Sequence, residues 1–125
     1  MQKILIIDDD AAVRMVIVKI LERNGYQAVS AEDGRRGLAV FRAEQPDLVI
    51  TDMIMPDKEG IETILEMCRE RPNAKIVAIS GGGRIGSADF LAMVKKLGAT
   101  DILAKPFEPS ELLSCVARCL AEGNR

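Results

Sequence analysis

The stretch Ile4-Leu5-Ile6-Ile7-Asp8-Asp9-Asp10 (ILIIDDD) passes in one step from four aliphatic residues to three carboxylates. A short, continuously apolar run fits a strand covered on both faces, because a half-exposed strand would alternate apolar and polar residues. The acids at its end mark where the chain leaves the interior. Leu48-Val49-Ile50-Thr51-Asp52 (LVITD) and Ile76-Val77-Ala78-Ile79-Ser80 (IVAIS) follow the same pattern. With two weaker runs they predict strands over Lys3–Asp8, Gln27–Ala31, Leu48–Asp52, Lys75–Ser80 and Thr100–Ala104.

Helical periodicity fills the intervals. Ala11–Arg23 places Val13, Val16, Ile17, Ile20 and Leu21 inward, and Asn24-Gly25 stops it. Asp33 caps a helix carrying Leu38 and Phe41, which Pro46 keeps from extending; Ile61, Ile64, Leu65 and Cys68 mark a third, ended before Pro72. Ser87 opens a fourth with Leu91, Val94 and Leu97 on one face and Gly98 beyond it. In the last, Pro109 takes the first helical position and Leu112, Leu113, Val116 and Leu120 form the buried stripe, ending near Ala121. The order is (βα) five times. Parallel strands need crossover helices, and right-handed crossovers place helices on both faces. The predicted fold is therefore α/β: a doubly wound, five-stranded parallel sheet in a three-layer α/β/α sandwich.

Composition bounds the rest. A chain of 125 residues, 48% hydrophobic and 29% charged, reads as one domain over 1–125, without linker, repeat or low-complexity segment. Seventeen basic against 19 acidic residues leave a net charge of −2, unlike the basic footprint of a dedicated nucleic-acid binder. The absence of histidine excludes Ser-His-Asp triads and His-ligated zinc. No apolar run approaches the ~20 residues of a membrane span, and the N-terminus lacks a secretory signal. Three cysteines give no disulfide framework, so a soluble protein of the cytoplasm is expected.

Ligands of such a sheet bind beyond the carboxyl ends of its strands. There the sequence places Asp8-Asp9-Asp10, Thr51-Asp52, Ser80-Gly81 and Lys105-Pro106. Crowded carboxylates repel unless a cation joins them, and a hard divalent ion such as Mg²⁺ takes carboxylates while still engaging phosphate oxygens. A carboxylate can also attack phosphorus to form an acyl phosphate, for which Asp52 is the candidate. Lys105 offers a positive charge to a transferred phosphoryl oxygen and Ser80 a hydroxyl. Helix capping is the competing reading for the aspartate run.

Taken together, Ile4–Asp10, Leu48–Pro56 (LVITDMIMP), Gly60, Ser80-Gly81 and Lys105-Pro106-Phe107 resemble the receiver domain of two-component response regulators over nearly the whole chain. The resemblance implies the flavodoxin-like strand order 2-1-3-4-5. It implies that Asp52 is the phospho-acceptor, and that Asp9, Asp52 and the backbone carbonyl of Ile54 hold Mg²⁺, with Asp8 acting through water. Ser80 and Lys105 would bind phosphoryl oxygens, a cis Lys105–Pro106 bond placing the lysine, while Asp10 caps. The implied donor is a phosphohistidine on a sensor histidine kinase or a histidine phosphotransfer protein. The implied recipient is a downstream output protein or fused output domain, with no direct nucleic-acid contact and no membrane insertion by this domain. The only chemistry implied is self-catalysed phosphoryl transfer and acyl-phosphate hydrolysis, so the chain is a switch and not an enzyme.

Some positions depart from that pattern. Ile102 stands where the family commonly carries an aromatic switch residue three before the lysine, so output is expected to depend on loop movement; the alternative is a degenerate receiver binding partners independently of phosphorylation. Ile54 and Gly82 offer no polar group to position a hydrolytic water. Gly81–Gly86 (GGGRIG) formally fits a dinucleotide fingerprint, but no acid closes the following strand for a ribose, and Asp101 comes too early. Cys115 and Cys119, four apart, are assigned to core packing because no further ligand accompanies them in the sequence. Lys95, Lys96 and Ile102 fall near a face that meets partners in this family.

Overall fold

The computed structural model describes residues 1–53, 59–81, 96 and 98–122. Strands β1 (Lys3–Ile7), β2 (Gln27–Ala31), β3 (Leu48–Asp52), β4 (Ile76–Gly81) and β5 (Asp101–Lys105) form one sheet in the order β2-β1-β3-β4-β5. Every neighbouring pair is parallel. The described helices are α1 (Ala11–Arg23), α2 (Gly34–Glu44), α3 (Glu59–Glu70) and α4 (Pro109–Glu122). The predicted helix after Ser87 lies outside the described residues, apart from Lys96, which is helical.

Alternation within the strands builds two cores. Ile4, Ile6, Ile50, Val77, Ile79 and Leu103 face α1 and α4, meeting Ile17, Leu21, Leu112 and Val116. Leu5, Ile7, Val49, Ile76 and Ala78 face α2 and α3, meeting Phe41, Ile64 and Met67. All five residues of β3 are buried, as its uninterrupted apolar run requires of a central strand covered twice. Cys115 and Cys119 lie in the first core.

The helix boundaries follow local chemistry. Asp10 caps α1, its carboxylate accepting from the N–H groups of Ala12 (2.9 Å) and Val13 (3.4 Å). Asp33 caps α2 through Arg36 N–H at 2.8 Å, and Gln45 closes it in the left-handed conformation just before Pro46. Val16, expected on the inward stripe, is instead 55% exposed. Successive helical residues are rotated by roughly 100°, so with Ile17 and Leu21 at the centre of the buried face Val16 falls off its edge. Conversely Met67, absent from the expected stripe of α3, is fully buried.

Candidate functional site

Register brings the polar strand ends to one edge. Ile7 of β1 pairs with Thr51, Asp52 with Ile79 and Ile79 with Leu103, so Asp8 and Asp52 leave the neighbouring strands β1 and β3 at the same level, and Lys105 of β5 stands two residues beyond it. The sheet order reverses about β1, which makes this the topological switch point where ligands of doubly wound folds bind.

The three side chains meet. Lys105 Nζ lies 3.3 Å from Asp8 Oδ2 and 3.4 Å from Asp52 Oδ2. Asp8 is fully buried and Asp52 nearly so, whereas Asp9 is exposed at the rim. One carboxylate oxygen from each of Asp8, Asp9 and Asp52 falls within 4.8 Å of the others, a grouping able to hold a metal ion. The donor set is all oxygen and strongly anionic, which fits a hard divalent cation. The Lys105–Pro106 peptide is cis, as expected. Ser80 ends one residue before the close of β4, paired with Ala104; its side chain, like Ile54 and the glycine-rich stretch beyond Gly81, lies outside the described residues.

Electrostatics follow from burial. Desolvation pushes the Asp8 carboxyl above the usual range; the Asp10 N–H opposes this, the charge of Asp52 adds to it, and Lys105 offsets part of it. Burial pulls the Lys105 ammonium down, but Asp52 and Asp8 outweigh it, so its pKa is raised and the charge is secure. The three aspartates of the run thus divide their roles. Asp8 points inward, accepting from Asp10 N–H at 2.9 Å and from Lys105, Asp9 faces solvent, and Asp10 caps.

Sequence reasoning missed two neighbours. Arg14, one turn into α1, donates from Nη1 to the backbone carbonyl of Asp8 at 2.6 Å and so fixes the residue that carries the buried acid. Ala12, Val13, Val16 and Ile17 of α1, with Lys105, Pro106 and Phe107, line an apolar groove of about 590 Å³ beside the acids. The sequence carried no signal for the groove, since its reading placed Val16 on the inward face and only the structure exposes it. A third finding corrects an expectation: Asp101, at the start of β5, does accompany Cys115 and Cys119, with one ligand atom of each within 4.8 Å of the others.

Comparison with known proteins points the same way. The family model for the response regulator receiver domain matches residues 4–117. The chemotaxis protein CheY of Thermotoga maritima is 34% identical over 116 residues, spanning 92% of this chain and 94% of that protein. Sporulation initiation phosphotransferase F of Bacillus subtilis is 33% identical over 119 residues, 95% of this chain and 94% of that protein. Among solved structures, a response regulator receiver domain protein from Clostridium thermocellum superposes with a TM-score of 0.89 at 28% identity, over 98% of this chain and 96% of that one. Among the described residues no helix is long and apolar enough to cross a membrane.

Proposed function

We propose, because this chain belongs to the family of response regulator receiver domains, that it is a cytoplasmic signalling switch, one domain over 1–125, in which Asp52 accepts a phosphoryl group. The observation that carries this reading is the placement of the Lys105 ammonium 3.3 and 3.4 Å from the carboxylates of Asp8 and Asp52 at the switch point of the sheet. Packing alone gives no reason to bury two acids against a partly exposed lysine there.

In the proposed reaction an Asp52 oxygen attacks the phosphorus of a phosphohistidine on a sensor kinase or histidine phosphotransfer protein. The new P–O bond forms as the P–N bond breaks, and the departing imidazole keeps the electron pair and takes up a proton from solvent. Lys105, held positive by its two acids, compensates charge on the transferred oxygens, and Ser80 supplies a further donor. Asp9, Asp52, the Ile54 carbonyl and, through water, Asp8 would hold Mg²⁺; when bound, the ion neutralises phosphoryl and carboxylate charge. The apolar groove shares Lys105 with the site, so the phosphohistidine partner has an apolar surface to cover beside the acceptor. Hydrolysis of the acyl phosphate by water resets the chain, and no second substrate is turned over.

Phosphorylation adds charge and acceptor oxygens beside Lys105. A charge-assisted hydrogen bond made in only one conformer contributes roughly 1.5–3 kcal/mol, a shift of about 10–150-fold in a two-state equilibrium. That suffices to change the surface offered to an output protein or fused output domain. The test is labelling with acetyl phosphate and Mg²⁺, read by intact-protein mass. Wild type gains one phosphoryl group and Asp52→Asn gains none; uptake by the variant equal to wild type rejects Asp52 as the acceptor, and no uptake by wild type leaves phosphorylation-independent binding as the function.

A further inference from the structure

We propose that Asp101, Cys115 and Cys119 form a second cation site, built for a thiophilic divalent ion of the zinc or cadmium class. Residues four apart on a helix share a face, so Cys115 and Cys119 present their sulfurs from successive turns of α4. That face packs on the sheet where β5 begins, and Asp101 is the first residue of β5. One ligand atom from each of the three lies within 4.8 Å of the others. Cys115 Sγ stands 3.6 Å from Asp101 Oδ2. In a tetrahedral zinc centre, bonds of about 2.3 Å to sulfur and about 2.1 Å to oxygen place those two atoms roughly 3.6 Å apart. The observed separation is therefore already that of a ligand edge.

The carboxylate is held for this task. Ile102 N–H donates to Asp101 Oδ1 at 2.8 Å, and Arg118 Nη2 donates to Oδ2 at 3.0 Å, so both oxygens are oriented from outside the cluster. Outer donors of this kind orient a metal-ligating carboxylate. Charge also closes: two thiolates and one carboxylate carry −3, which a divalent ion and the Arg118 guanidinium balance. Without an ion, the neighbouring Cys119 sulfur and burial push the Cys115 thiol upward, keeping it protonated. Binding therefore releases the thiol protons to solvent, with no change of oxidation state. The fourth position is left for water. Entry is from the Asp101 side, since both sulfurs are buried while the Asp101 side chain is 24% exposed.

Ligand softness separates this site from the acidic pocket. Thiolates select zinc-like ions and oxygen donors select magnesium. The two also stand at opposite ends of β5, Asp101 and Lys105 being separated by four residues, or roughly 13 Å of extended chain.

The experiment titrates the reduced full chain with cadmium chloride in excess magnesium and reads the thiolate-to-cadmium charge-transfer absorbance. One cadmium per chain is expected to saturate the band. Cys115→Ser and Cys119→Ser each reduce it at stoichiometric metal, Cys68→Ser leaves it intact, and Asp101→Asn weakens affinity on the order of 10–100-fold. Because serine in the core can unfold the chain, circular dichroism accompanies each titration, and Asp101→Asn, at the partly exposed edge of the cluster, carries the decision. Failure of folded wild type to develop the band, saturation at half a cadmium per chain, loss of the band with Cys68→Ser, or unchanged affinity in Asp101→Asn overturns the proposal.

Discussion

Replacing Asp8 by asparagine isolates the electrostatic cost of the acidic pocket. The amide keeps an oxygen for the Asp10 N–H but removes the charge that faces Lys105 and Asp52. At 3.3 Å and an effective dielectric of about 20, the attraction between Lys105 and Asp8 is about 5 kcal/mol. Oxygens of Asp8 and Asp52 approach within 4.8 Å, so on the same footing their repulsion is about 3 kcal/mol. The difference favours the charge by about 2 kcal/mol, less than the several kcal/mol it costs to bury an ion. The expected result is that Asp8→Asn raises the unfolding free energy by about 1–3 kcal/mol in magnesium-free buffer near neutral pH. In an Asp52→Asn background the repulsion is already gone, so the gain falls by about 3 kcal/mol and vanishes or changes sign. Urea denaturation followed by far-ultraviolet circular dichroism reads both, provided the slope is constant.

The pH dependence has a definite sign. Asp8 has a raised folded-state pKa, so the folded chain holds the proton longer than the unfolded chain, whose group titrates near 3.8. Stability is therefore lost as pH rises from that value through the folded pKa, and the advantage of Asp8→Asn shrinks as pH is lowered toward it. Saturating magnesium stabilises wild type by mass action and narrows or reverses the difference. A loss of stability for Asp8→Asn in the wild-type background, or an equal gain in both backgrounds, refutes the reasoning.

Three further outcomes are expected. Asp10→Ala removes the cap of α1 and costs about 1 kcal/mol in urea denaturation, while acetyl phosphate labelling is retained, because Asp10 reaches the pocket only through its backbone N–H, which alanine keeps. Asp9→Asn, at an exposed position, leaves magnesium-free stability within about 0.5 kcal/mol but abolishes the magnesium-dependent rise in Tm. Gly98→Ala costs about 1–3 kcal/mol, since Gly98 sits at φ +127° and a Cβ there would overlap Cys68 Sγ. Adding Cys68→Ala to that variant recovers the steric part and leaves the backbone part, which a thermal melt resolves.

Strands β1 and β3 were legible because each carries a short apolar run buried on both faces, whereas β2 (QAVSA) and β5 (DILAK) are weaker runs placed by their spacing. Polar residues at the strand ends had nowhere to go but the carboxyl edge of the sheet. Asp8, Asp52 and Lys105 could be named for that reason, although 44 and 53 positions separate them in turn. The division of labour within Asp8-Asp9-Asp10 was less legible, since capping and ligation ask for the same side chain. Only the direction in which each residue leaves the strand separates the buried Asp8 from the exposed Asp9. Arg14 and Asp101 were missed for a different reason. Each acts on a partner in another element, Arg14 on the carbonyl of Asp8 and Asp101 on Cys115, and neither spacing has a local signature. Val16 shows the limit of periodicity: a run of aliphatic residues marks a helix face but not where its edge lies.

The arrangement of charge links the fold to the proposed switch. A chain selected for stability alone would not bury Asp8 and Asp52 against a single shared ammonium, because truncating the pair to apolar groups avoids a desolvation cost that Lys105 offsets only in part. The pocket is therefore the place where added positive charge is most stabilising. The same deficit makes it sensitive to added negative charge. Converting a carboxylate at Asp52 to an acyl phosphate raises the demand on Lys105, and that ammonium already divides its hydrogen bonds between two acids. Any neighbouring donor that moves to meet the new oxygens is then rewarded in the phosphorylated state and not before it. Because Lys105 closes β5 and continues through Pro106 and Phe107 into the wall of the apolar groove, such a redistribution acts directly on a surface that a partner can read.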